Sequence, residues 1–204
     1  EALRLDPRYG PFAAALDASD EAQATLAARV ARPADEIWLV EPEEWPAPPG
    51  TRVAKSARLL QMIGENPAPL EPGDLEETVL LGEKDAAKMA ALALATEPGP
   101  WRDLTHRYGD YYGIREGGAL AAMAGERMLP ATGLAELSGV CTWPQFRGRG
   151  YATRLTRRVL AGFAARGDTP FLHSWADNRG AIALYETLGF RPRRELVLTG
   201  LVRA

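Results

Sequence analysis

LAELSGVCT (Leu134–Thr142) runs into WPQFRGRGYA (Trp143–Ala152), and the reading of that junction decides the fold. The first piece is short, rich in small and β-branched residues, and has the length of a strand. After Ala152 the chain reads TRLTRRVLAGFAAR, with Leu155, Val159, Leu160 and Phe163 on one stripe and arginines opposite, so Gly150–Arg166 is predicted as an amphipathic helix. Between strand and helix lie Arg147-Gly148-Arg149-Gly150. Glycines there let the backbone turn tightly and approach a ligand. The free N–H groups and dipole of the helix start face the same point, and Arg147 and Arg149 add charge. Such a turn is an anion site, and a pyrophosphate would fit it. The alternative is a glycine-rich turn with solvated arginines.

Two familiar phosphate motifs do not fit. A P-loop needs GxxxxGK[ST], which is absent. A dinucleotide fingerprint needs a third Gly or Ala after Gly148-x-Gly150, where Thr153 stands.

Outward from the junction, the pattern alternates. On the C-terminal side, Thr169–Ser174 reads as a buried strand and Asn178–Leu188 as a helix closed by Gly189. Phe190–Arg194 and Leu196–Val202 read as two final strands. On the N-terminal side, Glu77–Leu81 is a strand and Asp85 caps a helix over Ala86–Ala95. A short helix is predicted over Trp101–Tyr108. Asp110–Arg115, Ala119–Leu129 and Gly133–Thr142 follow as strands. The first third is broken by EPEEWPAPPG (Glu41–Gly50) and NPAPLEPG (Asn66–Gly73). Around them Ala22–Val30 reads as helix, and Glu36–Val40 and Arg52–Leu60, extending toward Met62, as strands. The expected organisation is a small α/β region over residues 1–75, followed by a domain over 76–204.

Composition bounds the function. The 204 residues are 46% hydrophobic and 25% charged, as in an ordinary globular protein. A net charge of −3 argues against a general nucleic-acid binder. No apolar run is long enough to span a bilayer. Cys141 is the one cysteine, so no internal disulfide can form. The chain starts at Glu1 without a signal-like segment, and cytoplasmic residence is expected. His106 and His173 are the two histidines, without a second ligand at metal spacing, so no metal is expected. His173 reads as a satisfied core histidine.

Two pieces together carry a family resemblance. Arg147-x-x-Gly150-x-Ala152 is similar to the [Q/R]-x-x-G-x-[G/A] loop that holds acetyl-CoA in GNAT enzymes. Asn178-Arg-Gly-Ala181-Ile-Ala-Leu184-Tyr185-Glu-Thr-Leu-Gly189-Phe190 resembles their second signature, N-x-x-A-x-x-L-Y-x-x-x-G-F. With Val140-Cys141-Thr142 and Pro170–His173, the C-terminal part looks like the branch that contains glycine N-acyltransferase-like proteins. The resemblance is specific over Leu134–Phe190, weaker over Glu76–Leu129 and absent over 1–75. It implies the α/β (α+β) GNAT fold, a mixed, mostly antiparallel sheet flanked by helices. Residues 1–75 are left as a degenerate half-GNAT, a cap on the acceptor side or a homodimer interface.

The activity implied is N-acetyl transfer, with acetyl-CoA as acyl donor and a small-molecule amine or amino acid as acceptor. Cofactor contacts would come from Val140, Cys141 and Thr142 along the strand, from Arg147, Gly148, Arg149, Gly150, Tyr151 and Ala152 in the loop, and from Asn178. Asn178 also suits plain N-capping. Glu136, on the strand before the loop, is the candidate base, against a paired strand glutamate. Tyr185 is the candidate acid, against a packing tyrosine. Glu126 and Arg127 would orient the substrate amine and bind its carboxylate, against an ordinary surface pair. Trp143 would line the acceptor pocket. Cys141 is read as a small buried residue rather than an acyl carrier. Two other functions fit the same residues: a non-catalytic acyl-CoA-binding module, and a peptide or protein N-acetyltransferase with an open groove.

Overall fold

The computed structural model describes residues 1–30, 32 and 34–204. Its centre is an eight-stranded sheet. The strands are β3 (Glu36–Glu41), β4 (Thr51–Gly64), β5 (Val79–Leu81), β6 (Tyr111–Glu116), β7 (Ala119–Glu126), β8 (Leu134–Thr142), β9 (Thr169–Trp175) and β10 (Phe190–Arg203). Their spatial order is β3-β10-β4-β9-β8-β7-β6-β5. Neighbours are antiparallel except β8 and β9, which run parallel. A separate two-stranded ladder joins β1 (Ala2–Arg4) to β2 (Ala13–Ala15).

The helices cover the sheet because each buries one stripe. Helix α4 (Tyr151–Arg166) buries Leu155, Val159, Leu160 and Phe163 against β7, β8 and β9, joined there by Tyr151 and Thr156. A fully buried side chain of this size contributes about 1.5–3 kcal/mol. On the opposite face, α3 (Ala86–Thr96) places Met89, Leu92 and Ala93 over Tyr111, Leu120, Met123 and Cys141. Helix α1 (Asp20–Ala28) starts at Ser19, whose side chain accepts from the Ala22 amide, and buries Leu26 against Ile37, Leu39 and Leu201. Helices α2 (Pro72–Glu77) and α5 (Arg179–Thr187) complete the set.

Several boundaries differ from expectation. The predicted strand from Glu77 begins at Val79, because Pro72 at the first helical position starts α2 instead. The predicted helix over 101–108 reduces to a 3-10 turn at Thr105–Arg107. The two predicted C-terminal strands are one strand, β10, with register shifts at Pro192/Arg194 and Gly200/Leu201. The shift accommodates Pro192, which has no N–H for the ladder. Asp85 stands at the N-cap position of α3 as expected, but its side chain makes no cap bond there; its carboxylate accepts from the Gly82 amide at 3.2 Å, closing the 3-10 turn, and from Arg115 at 2.5 Å.

The expected boundary at residue 75 lies between strands of one sheet. β10 is inserted between β3 and β4, and β4 is bonded to β9. The N-terminal third therefore supplies two strands of the sheet, β3 and β4, at the end where the cavity described below opens.

Candidate functional site

β8 and β9 are paired only at Leu134–Glu136 with Thr169–Phe171, and then diverge. Two features prise them apart. The first is a bulge in β8: its register against β7 passes from Gly125↔Ser138 to Met123↔Cys141, three residues against two. The extra residue sits at Gly139, with φ of 62°. A Cβ there would lie 2.8 Å from Cε1 of Tyr111, so only glycine fits. The second is the loop after β8, where Gly148 and Gly150 both have φ of 77°. A cavity of about 1090 Å³ opens from this wedge.

One end of the cavity is lined by Val140, Cys141, Thr142, Arg147, Ala152 and Asn178, six of the ten expected cofactor contacts. Among the described residues, the amides of 148–153 make no hydrogen bond within the chain; the first helical bond runs from Arg154 to the Gly150 carbonyl. They form a cluster of free donors at the start of α4. Gly148 and Gly150 are exposed, with open space where a side chain would be. The two arginines differ. Arg147 faces the cavity, with Nε 3.3 Å from the Thr142 carbonyl. Arg149 lies 3.7 Å from Glu116 and over the Phe146 ring. The Tyr151 side chain is buried and bonded to Glu116, so what it offers the loop is its amide. Asn178 Oδ1 accepts from the Ala181 amide at 3.1 Å and caps α5. These free donors and this open loop fit a CoA pyrophosphate.

Tyr185 of α5 lines the cavity beside Leu184. Its ring packs edge-on to Phe190, 5.9 Å between centroids. Burial, with a smaller contribution from Cys141, raises its proton affinity, so the hydroxyl stays protonated. Burial also pushes the Cys141 thiol up to about 12, with a bond to Thr96 opposing.

Glu136 takes a different part from the one expected of it. It is 0% exposed and outside the cavity lining. Arg127 grips it in a two-point pair, Nε–Oε2 at 2.9 Å and Nη2–Oε1 at 2.5 Å. Burial would raise its proton affinity, but Arg127 and then His173 hold it well below the usual carboxylate range. A carboxylate so held is a poor base. Arg127, expected to take a substrate carboxylate, has its charge spent on Glu136 and its plane over Phe12, 5.0 Å from the centroid. Glu126 is buried away from the cavity and bonded to Arg166 at 3.0 Å. Trp143 packs against the cluster under α3, also away from the cavity.

His173 connects the buried pair to the cavity. Its Nδ1 lies 2.9 Å from Glu136 Oε1 and its Nε2 lies 3.0 Å from Gln61 Nε2. Arg193 and Arg194 donate to Gln61 Oε1, so the Gln61 amide donates to Nε2. Nε2 is then the acceptor of that bond, and Nδ1 faces Glu136. From the sequence His173 reads as a satisfied core histidine; in the structure it lines the cavity. Alternation along β9 was the available signal, since it puts Phe171, His173 and Trp175 on one face.

The far end of the cavity is lined by Phe12, Trp38, Val40, Leu59, Trp175 and Leu198. Phe12 bridges to Trp38, and the segment before it is tied to the body by Leu104 N–H to the Arg8 carbonyl and Thr105 Oγ1 to the Tyr9 carbonyl, both 2.8 Å. Among the described residues no group of His, Cys, Asp and Glu is arranged for a metal, and no helix is long and apolar enough to cross a membrane.

Comparison with known proteins gives three results. Residues 111–198 match the family described as FR47-like protein. The N-alpha-acetyltransferase RimI of Mycobacterium tuberculosis is 34% identical over 121 residues, covering 54% of this chain and 75% of the relative. Among solved structures, a protein of Novosphingobium aromaticivorans assigned to the GNAT acetyltransferase family superposes with a TM-score of 0.93 at 59% identity, over 100% of this chain and 88% of its own. The Escherichia coli ribosomal-protein-S18-alanine N-acetyltransferase shares the fold, with a TM-score of 0.51 at 22% identity over 62% of this chain and 92% of its own.

Proposed function

We propose that this chain, which belongs to the GNAT superfamily of N-acetyltransferases, moves an acetyl group from acetyl-CoA directly to the primary amine of a small molecule. The observation that carries the reading is the splayed β8–β9 wedge ending in unbonded amides. Acetyl-CoA, when bound, supplies an acyl thioester open to attack by a neutral amine. The amides of 148–153 hold its pyrophosphate, and the free edge of β8 at Val140 and Thr142 bonds its amide groups as an added strand.

His173 accepts the proton that the amine loses, and Glu136 stabilises the imidazolium so formed. Gln61 occupies Nε2 in this structure, so the acceptor must displace that amide for the transfer to occur. Tyr185 gives its proton to the departing sulfur and regains one from solvent. Cys141, held protonated at neutral pH, is a poor nucleophile, which favours direct transfer over an acyl-enzyme.

A second reading, acetylation of a protein N-terminus, is favoured by the identity to a relative named N-alpha-acetyltransferase. The wall of residues 2–15 and β3 at the acceptor end favours a small molecule instead. The test is thiol release from acetyl-CoA with a panel of small amines and short peptides, using wild type, His173→Asn and Tyr185→Phe. An imidazole base requires wild-type kcat/KM to rise with pH to a plateau, and His173→Asn to lose that rise. Acetyl-CoA binding without amine-dependent release would overturn the reading.

A further inference from the structure

We infer that the acceptor is a free α-amino acid with an apolar side chain, and that the carboxamide of Gln61 holds the place of its amine and carboxylate. The inference rests on the acetyl-transfer reading and narrows it to a substrate class. β10 supplies the first observation. Successive residues of a regular strand point to opposite faces. The bulge between Pro192 and Arg194 breaks that alternation, so that neighbours reach one atom: Arg193 Nη1 at 2.5 Å and Arg194 Nε at 3.3 Å both donate to Gln61 Oε1. Among the described residues neither guanidinium forms an ion pair. The acids nearby face elsewhere. Glu195 is paired with Arg58, and Glu41, which feels the charge of Arg194 without bonding to it, alternates onto the face of Leu39. Two cations aimed at one neutral carbonyl oxygen suit a carboxylate better, since such charge-assisted bonds are about twice as strong.

The other end of the same carboxamide meets the base. Gln61 Nε2 donates to His173 Nε2 at 3.0 Å. One planar group thus sets a nitrogen on the imidazole and an oxygen on two guanidiniums, about 2.3 Å apart by covalent geometry. An α-amino acid carries its amine nitrogen and carboxylate oxygen about 3 Å apart, close to the same span. Each further methylene between them widens the gap. A simple amine, an amino-acid amide or the N-terminal residue of a peptide has no carboxylate to offer at that position.

Register places the side chain of such a ligand. Gln61 pairs with His173, and the next pair on the same face is Leu59 with Trp175. Beyond it stand Leu198 and Val40, themselves paired, and all four line the cavity. A side chain leaving the α-carbon in that direction meets apolar walls and gains by burial. A cationic side chain is disfavoured there, because the Lys55 ammonium already lies 4.8 Å from the Trp38 ring centroid and 4.5 Å from that of Trp175.

The experiment measures calorimetric binding of leucine, phenylalanine, glycine and lysine, each beside its amide, to the CoA-loaded protein. Leucine and phenylalanine should bind at least tenfold tighter than their amides, and tighter than glycine or lysine. The ratio of acid to amide should collapse toward one in the double variant Arg193→Gln/Arg194→Gln. Gln61→Ala should bind leucine at least threefold tighter, since no internal group then has to be displaced. Equal binding of acid and amide, a preference kept in the double variant, or weaker binding by Gln61→Ala would overturn the inference. So would glycine or lysine binding as well as leucine, or a leucine-initiated dipeptide amide binding as tightly as leucine itself. Failure of the acetyl-transfer reading looks different: amino acids would bind with the expected preference while none raised thiol release.

Discussion

The two ends of the one cavity are built by opposite means. At the donor end, the groups that matter are backbone amides, and the residues around them, Arg147, Gly148 and Gly150, are exposed. At the acceptor end, the groups are side chains contributed by the N-terminal segment, β3, β4, β8, β9 and β10, and they are held by one another. The first kind of site depends on local backbone shape. The second depends on long-range packing, and a change in one residue is felt through its partners.

The largest expected effect breaks the donor end. Gly150→Glu places a carboxylate where an anion must sit and forces a side chain into φ of 77°, a strain of about 1–2 kcal/mol before any charge repulsion. Acetyl-CoA binding should become undetectable by calorimetry at a hundred times the wild-type Kd. Full-strength binding would remove the loop from the site.

At the acceptor end, Glu136→Ala leaves the buried Arg127 without its counter-charge. The expected cost is about 3–5 kcal/mol, read as a fall in Tm. The sign of its pH dependence follows from the lowered proton affinity of Glu136 in the fold. Its stabilisation is complete above the ordinary carboxylate pKa and is lost as pH falls toward the folded-state value. The Tm difference between wild type and variant should therefore be full at pH 7 and shrink progressively below about pH 4.3. A difference independent of pH would mean that the lost packing, not the ion pair, sets the cost.

Between the ends stands Tyr185. Tyr185→Phe should lower kcat by about 10²-fold while the Kd for acetyl-CoA moves less than about threefold, as expected for a proton donor. A parallel loss of both would make Tyr185 a packing residue on Phe190. The smallest effect concerns Cys141: with its thiol near 12, alkylation by iodoacetamide at pH 8 should be slower than for a free thiol by about 10³-fold, and should become rapid in denaturant. Rapid modification of the native protein would show that the thiolate is accessible.

The same contrast explains what was legible in the sequence. The loop and the α5 signature are contiguous, so Arg147–Ala152 and Asn178–Phe190 could be read as local chemistry, and six of the ten expected contacts reach the cavity. Tyr185 was placed by its spacing from Asn178. The acceptor end has no contiguous signature. Glu136 reads as a base or a paired strand glutamate, and nothing local chooses between the two, because its partner Arg127 lies across the β7–β8 turn. Gln61 and His173 are 112 residues apart, and no local pattern couples them. Glu126 and Trp143 were named for their proximity in sequence to the site, but strand direction turned both away.

β10 has a consequence for how the chain becomes a protein. Its neighbours β3 and β4 are consecutive in sequence yet never pair with each other; both wait for a strand that emerges much later, as the bond between Trp45 and Thr199, 154 residues apart, illustrates. During synthesis the N-terminal third must stay soluble with two unpaired strand edges until β10 fills the gap between them. The charges at Arg52, Lys55 and Arg58 along β4 would serve in that interval as guards against premature pairing with other chains, a duty finished once the sheet closes.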